Sequence, residues 1–186
     1  MVVGALVSAL FISCGKNPSE PGTEGNSGAD SVPNFTGDPA TDLPNGYYRG
    51  TLSYKSHNIS EFSVDGQTKE DTEQDIMSGI PLFYLKIDNN ILKCSEYSEQ
   101  EMETAEGIQA LKSGSEYGAT ISYETNDEDG NIKDKRTIRF TISDNTISIT
   151  YIKGQSVDAT GIKYSYDATY EGTLTKYTPT TTPSGI

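Results

Sequence analysis

The chain has 186 residues, room for one ordinary domain with flanking segments. Its 27 acidic and 14 basic residues leave a formal net charge of −13, which speaks against nucleic acid and against docking on anionic lipid head groups, since both require Lys/Arg stripes. With two cysteines and a single histidine, the composition offers no disulfide framework and no zinc-binding set.

Residues 1–13 form a short apolar leader that stops abruptly at Cys14, where Gly15-Lys16-Asn17 begins a polar stretch. The leader is shorter than the roughly 20 apolar residues that span a bilayer, but it fits the core of a signal peptide. Leu10-Phe11-Ile12-Ser13-Cys14-Gly15 resembles the lipobox of bacterial lipoproteins. That resemblance implies removal of residues 1–13, lipid attachment at Cys14 and a place in the bacterial cell envelope, on the outer membrane or on its periplasmic or surface face. The acyl chains would contribute about 0.8 kcal/mol per buried CH₂ to membrane residence.

Residues 14–45 carry five prolines (Pro18, Pro21, Pro33, Pro39 and Pro44) among Gly, Ser, Thr, Asn and Asp, without hydrophobic periodicity. Such a composition predicts a disordered tether, which at about 5–6 Å × √n would span about 30 Å. Residues 178–186 predict a tail of the same kind, so the folded domain is expected at 46–177.

Within that domain the dominant period is two. A first strand carries Tyr48, Gly50, Leu52 and Tyr54 on one face, and Ser56-His57-Asn58 reads as a turn to a short second strand at Phe62 and Val64. The acidic segment 65–79 leads to a third strand at Leu82–Ile87. Asp88-Asn89-Asn90 turns into a partner strand over Ile91–Tyr97, on which Cys94 reads as a buried, inert thiol. Ser98 and Glu101 form a capping box, and Met102, Ala105, Ile108 and Leu111 follow at helical spacing with Gly114 as C-cap. Strands then recur from Glu116, over Thr137–Ile142, at Ile147–Tyr151 and over Tyr164–Leu174. Asn126–Asn131 reads as a hairpin turn rather than a calcium loop, because an EF-hand register puts Arg136 where a bidentate Glu is needed. The glutamates Glu96, Glu99, Glu101, Glu103 and Glu106 read as a solvated face.

The expected fold is therefore mainly β: a single antiparallel up-and-down barrel of about eight strands with one short helix, an open two-sheet sandwich being the alternative. Tyr48-Arg49-Gly50-Thr51-Leu52-Ser53 is echoed by Tyr170-Glu171-Gly172-Thr173-Leu174-Thr175, so first and last strands are expected to pair and close the sheet, with Arg49 and Glu171 as opposite charges on its outside. In strand count and order this is similar to the lipocalin-like (calycin) barrels of bacterial lipoproteins. That resemblance implies a barrel with room for a small apolar ligand.

No nucleophile–histidine pair, phosphate loop or metal set points to catalysis, so no enzyme activity, cofactor or metal is expected. Twelve tyrosines and no tryptophan leave two readings. Either Tyr48, Leu52, Tyr123, Phe140, Tyr151 and Tyr166 fill the core, or some of them line a ligand cavity. Function is expected to be binding of a small apolar ligand or a protein partner at the membrane. The alternative is a structural or interaction lipoprotein with a solid core and acidic contact loops.

Overall fold

The computed structural model describes residues 28–127 and 130–179; the expected leader, Cys14 and the terminal tail beyond 179 lie outside them. The chain forms β1 (Asp38–Pro39), β2 (Gly46–Val64), α1 (Lys69–Met77), β3 (Ile80–Asp88), β4 (Ile91–Ser95), α2 (Glu99–Thr104), β5 (Ile108–Gln109), β6 (Leu111–Ser113), β7 (Glu116–Asp127), β8 (Gly130–Ser143), β9 (Thr146–Ala159) and β10 (Ile162–Tyr177). All ten strands belong to one antiparallel sheet in the order β1-β6-β7-β8-β9-β10-β2-β3-β4-β5. The sheet is not closed. Its two sides nevertheless meet in the sequence, because β5, the end strand beside β4, and β6, which lies between β1 and β7, are separated by Ala110 alone.

The first and last long strands do pair. β2 lies beside β10 with Leu52 opposite Gly172 and Arg49 opposite Thr175. Antiparallel pairing runs the two echoed motifs in opposite directions, so Arg49 and Glu171 do not meet. Glu171 pairs instead with Lys55 at 2.9 Å, and the Arg49 guanidinium lies over the Tyr177 ring at 4.7 Å. This junction is in the middle of the sheet and not at its seam.

What reads as two strands and a turn is the single 19-residue β2. Register shifts against β10 make Lys55 and Ser60 the extra residues of two bulges. Each bulge moves the inward phase by one residue, from Tyr54 to His57 and from Ile59 to Phe62. The broken alternation is what imitates a turn. His57 is consequently a mid-strand residue, with Nδ1 2.8 Å from the Tyr54 hydroxyl and Nε2 3.7 Å from Glu73 of α1.

Among the described residues two α-helices form where one is expected. Thr68 and Asp71 make a reciprocal capping box that starts α1, and Ile76 turns its side chain into the core. The expected helix after Ser98 is cut to six residues. Ser98 accepts a hydrogen bond from the Glu101 amide, but Glu101 turns its carboxylate to the Ser95 hydroxyl at 3.1 Å. Met102 is buried as its spacing predicts, whereas Ile108 and Leu111 join strands. Ladder hydrogen bonds to β4 and β7 outcompete a helix already weakened at Gly107. Gly114, with φ +63°, serves the β6–β7 turn rather than a helix end. Asn89 and Asn90 take the left-handed conformation that the β3–β4 turn needs.

The second half of the expected tether is packed against the sheet. Residues 28–45 form a strap: a short 3-10 turn over Gly28–Ser31 lies on the outer face of β9 and β10, and the chain then crosses β8 and β7 to reach β6. Ala29, Val32, Phe35, Ala40 and Leu43 are all buried. The Ala29 amide donates to Ser156 Oγ, Thr137 Oγ1 donates to the Pro33 carbonyl, and the Phe35 amide donates to Thr120 Oγ1. Two glycines make the close approach feasible. A Cβ on Gly118 would lie 2.7 Å from the Phe35 ring, and one on Gly154 would lie 2.3 Å from the Gly28 carbonyl oxygen. At its far end the strap ties the seam, with the Ala40 amide donating to the Ala110 carbonyl and the Ala110 amide to that of Asn90. The prolines and glycines thus shape a docked extended segment instead of loosening a tether, because five apolar side chains spread along it find partners.

Candidate functional site

The inward face of the sheet divides into two zones along the strands. In the lower zone, where β2 pairs with β3, the side chains of Tyr48, Leu52, Phe83, Phe140, Tyr151 and Tyr170 are all buried and fill the interior. Phe83 and Tyr170 pack on Tyr151, with ring centroids at 5.0 and 6.4 Å, and Tyr117 stacks on Phe140 at 5.8 Å. Four of the six residues singled out from sequence, Tyr48, Leu52, Phe140 and Tyr151, belong to this solid core. The Tyr48 hydroxyl is buried there without a hydrogen-bond partner, and burial pushes its pKa up.

Above this core the same inward phase turns polar. Ile138, Arg136 and Asp134 follow one another on β8, as Tyr151, Lys153 and Gln155 do on β9. Into this band the three-residue loop between β4 and α2 inserts Glu96, whose side chain keeps only 9% of its exposure. Glu96 Oε1 accepts a hydrogen bond from the Tyr151 hydroxyl at 2.6 Å, and Oε2 accepts one from Lys153 Nζ at 2.8 Å. Arg136 lies 3.7 Å from the same carboxylate and is held by Asp134 through two hydrogen bonds, at 2.7 and 3.1 Å. The four charges cancel, two acids against two bases.

Burial alone would raise the Glu96 carboxyl pKa. The Lys153 and Arg136 charges, with the hydrogen bonds from Lys153 and Tyr151, outweigh it and hold Glu96 below its ordinary range. Burial likewise opposes the Lys153 charge, yet Glu96 and its hydrogen bond win and raise that ammonium. The Tyr151 phenol is pushed far up by burial and by the Glu96 charge, so it remains a donor at any physiological pH. Cys94 borders the cluster on β4, where burial raises its thiol to about 12. Cys94 is half-buried there and not fully buried as its strand position predicts.

Beyond the charged band, β2, β7, β8, β9 and β10 run on toward their hairpin ends. Their inward face there carries Ile59, Phe62, Tyr123, Ile132, Tyr164 and Tyr166, all partly exposed. Tyr164 and Tyr166 stack at 6.2 Å, and the Tyr164 hydroxyl donates to Gln155. The remaining two of the six singled-out residues, Tyr123 and Tyr166, are here, both partly exposed, with Tyr166 packed against the edge of the core. Tyr97, beside Glu96, is 57% exposed. Two recesses of about 570 and 370 Å³ lie on the outer face instead; the larger is lined by Lys55, Arg139, Thr150 and Glu171, and both are polar and open.

Sequence reasoning missed Glu96, Asp134, Arg136 and Lys153, and it misread Glu96 as part of a solvated run. For the three strand residues a signal was present: each continues the inward phase of a strand whose inward positions in the lower zone, Ile138, Phe140 and Ile142 on β8 and Ile147, Ile149 and Tyr151 on β9, are apolar or aromatic. Nothing in Ser95-Glu96-Tyr97 marks Glu96 as buried. Among the described residues no three His, Cys, Asp or Glu side chains gather in a metal-binding group, and no helix is long and apolar enough to cross a membrane. Compared with protein-family models, with curated proteins and with solved structures, the chain matches none.

Proposed function

We propose that this protein is a membrane-anchored lipoprotein of the bacterial cell envelope whose folded part is a binding module and not an enzyme. In this reading Cys14 carries the lipid, and the sheet curls into a lipocalin-like barrel of about eight strands. Continuity of β5 and β6 through Ala110 supports the barrel, because one segment, Ile108–Ser113, then serves as the strand between β4 and β7. The single observation that carries the function is the division of the inward face into a filled lower zone and an aromatic, partly exposed upper zone above a fixed charge cluster.

That division favours a protein partner over a small apolar ligand held deep inside. The lower zone is occupied by six large side chains, and aromatic residues with polar tips suit a contact surface.

Two measurements test this reading. Metabolic labelling with a fatty-acid analogue is expected to be lost in Cys14→Ser, and persistent labelling would remove the anchor. Native mass spectrometry of protein taken from its own source is expected to show a protein adduct that Tyr166→Ala weakens. A retained small apolar molecule would instead favour the ligand reading.

A further inference from the structure

Antiparallel register sets the inward residues of the upper zone side by side in layers across the strands. Just above the solid core, Lys153 of β9 lies between Arg136 of β8 and Ala168 of β10. The next layer places Tyr166, Gln155, Asp134 and Tyr123 in one row, and Tyr164, Val157 and Ile132 follow above it. Charges therefore sit at the base of this zone, and aromatic or branched side chains rise above them.

The hydrogen bonds at this base are one-sided. Its acceptors are engaged. Glu96 takes one bond on each oxygen, from Tyr151 and from Lys153, and Asp134 takes one on each from Arg136. Gln155 Oε1 accepts from the Tyr164 hydroxyl. Its donors are not exhausted. Lys153 uses one of its three N–H groups, and Arg136 Nη1 stands 3.7 Å from Glu96, too far for a hydrogen bond. The Gln155 amide nitrogen and the Tyr166 hydroxyl have no acceptor among the described residues. Burial raises the Tyr166 phenol, and the Glu96 and Asp134 charges push it further up, so it is a donor and not an anion. Because the four charges of the cluster cancel, the surplus is one of hydrogen-bond donors and not of net charge.

An occupant complementary to this face offers acceptors, carries no net charge, brings few N–H groups of its own and packs on aromatic rings. A proline-rich segment has all four properties. Its carbonyls accept, its prolines lack N–H, and its pyrrolidine rings are uncharged and dock on aromatic-lined surfaces. Tyr164 and Tyr166 supply such a surface, with ring centroids 6.2 Å apart and planes inclined by only 25°. We propose that the upper zone binds a proline-rich segment of the protein partner in the polyproline II conformation, its carbonyls accepting from the Tyr166 hydroxyl and the Gln155 amide. This rests on the binding-module reading above and names the chemistry of the partner. The length agrees. Five strands at about 4.8 Å spacing make a face no more than about 19 Å wide, which about six residues span at about 3.1 Å each.

Amide chemical shifts of the isotope-labelled full chain, titrated with blocked hexaproline, test the proposal. Saturable shifts are expected at Gln155, Tyr164 and Tyr166, and none at Ile149 or Leu174 in the filled zone. A blocked Gly-Ser hexapeptide, which brings N–H groups and no rings, should bind at least tenfold more weakly. Tyr166→Phe keeps the ring and removes the donor, so hexaproline should bind about fivefold more weakly, the worth of one neutral hydrogen bond. Thr150→Ala, on the outer face, should leave binding unchanged. No saturable shift with hexaproline, equal binding of the Gly-Ser peptide, or indifference to Tyr166→Phe would each overturn the proposal. A native protein adduct that Tyr166→Ala weakens, together with no response to hexaproline, would strike the proline-rich segment and leave the binding module standing. No adduct and no response would strike both.

Discussion

Replacing Glu96 by Ala withdraws a carboxylate from between Lys153 and Arg136 and leaves the Tyr151 hydroxyl without its acceptor. Removing one partner of a buried ion pair typically costs about 3–5 kcal/mol, because the other charge stays buried and uncompensated. Here Lys153 and Arg136 keep 22% and 30% of their side-chain exposure, and Arg136 retains Asp134. Water and Asp134 therefore recover part of the loss, and a destabilisation of about 2–3 kcal/mol is expected. Glu96→Gln keeps an oxygen for Tyr151 and should cost less, about 1–2 kcal/mol. The assay is urea unfolding at neutral pH, with a lowered midpoint and an unchanged slope. Removing the orphaned ammonium as well, in Glu96→Ala with Lys153→Met, should restore part of the loss, so the double variant is less destabilised than the sum of the singles. The pH dependence follows from the same geometry. The folded-state pKa of Glu96 lies below the ordinary value of 4.5, so its contribution is complete above that pH and is lost as pH falls through the folded value. The gap between wild type and Glu96→Ala should be constant at neutral pH and narrow below about pH 4.5. A Glu96→Ala midpoint within about 0.5 kcal/mol of wild type would refute the argument, because a surface carboxylate would behave that way.

Leu52 and Leu174 face the filled lower zone from adjacent strands, and neither has measurable exposure. Truncating either to Ala should cost about 2–5 kcal/mol in thermal or urea unfolding, while Arg49→Ala and Glu171→Ala on the outside should each cost no more than about 1 kcal/mol. The strap makes the opposite forecast from a tether. Phe35→Ala should destabilise by about 2–4 kcal/mol, Gly118→Val should produce a comparable loss by driving a side chain into the Phe35 ring, and deletion of residues 28–45 should abolish cooperative unfolding. A melting curve unchanged by Phe35→Ala would show that the strap is not docked.

Much of the fold is legible in the residues because side-chain alternation is a local property. Any strand that packs one face must write its inward set at every second position, which is why Tyr48, Leu52, Ile138, Phe140, Ile149, Tyr170 and Leu174 can be assigned inward from their spacing alone. Tight turns are equally local, since Asp88-Asn89-Asn90 and Ser143-Asp144-Asn145 need only residues that tolerate a left-handed backbone. Three features are not local. The two bulges of β2 exist only relative to β10, and without the partner their phase shifts look like a break in the strand. The strap has no period at all, because each of its apolar residues meets a different strand, and only the assembled sheet supplies the grooves over Gly118 and Gly154. The fate of Ile108 and Leu111, helical by spacing but extended in the structure, is decided by open backbone edges on β4 and β7 that do not exist until the sheet forms. The charge cluster is intermediate. Asp134, Arg136 and Lys153 declare themselves inward by phase, whereas Glu96 becomes buried only because tertiary folding carries the β4–α2 loop across to Lys153, 57 residues away along the chain. Burial of a charge depends on which opposite charges arrive beside it, and no local pattern records that.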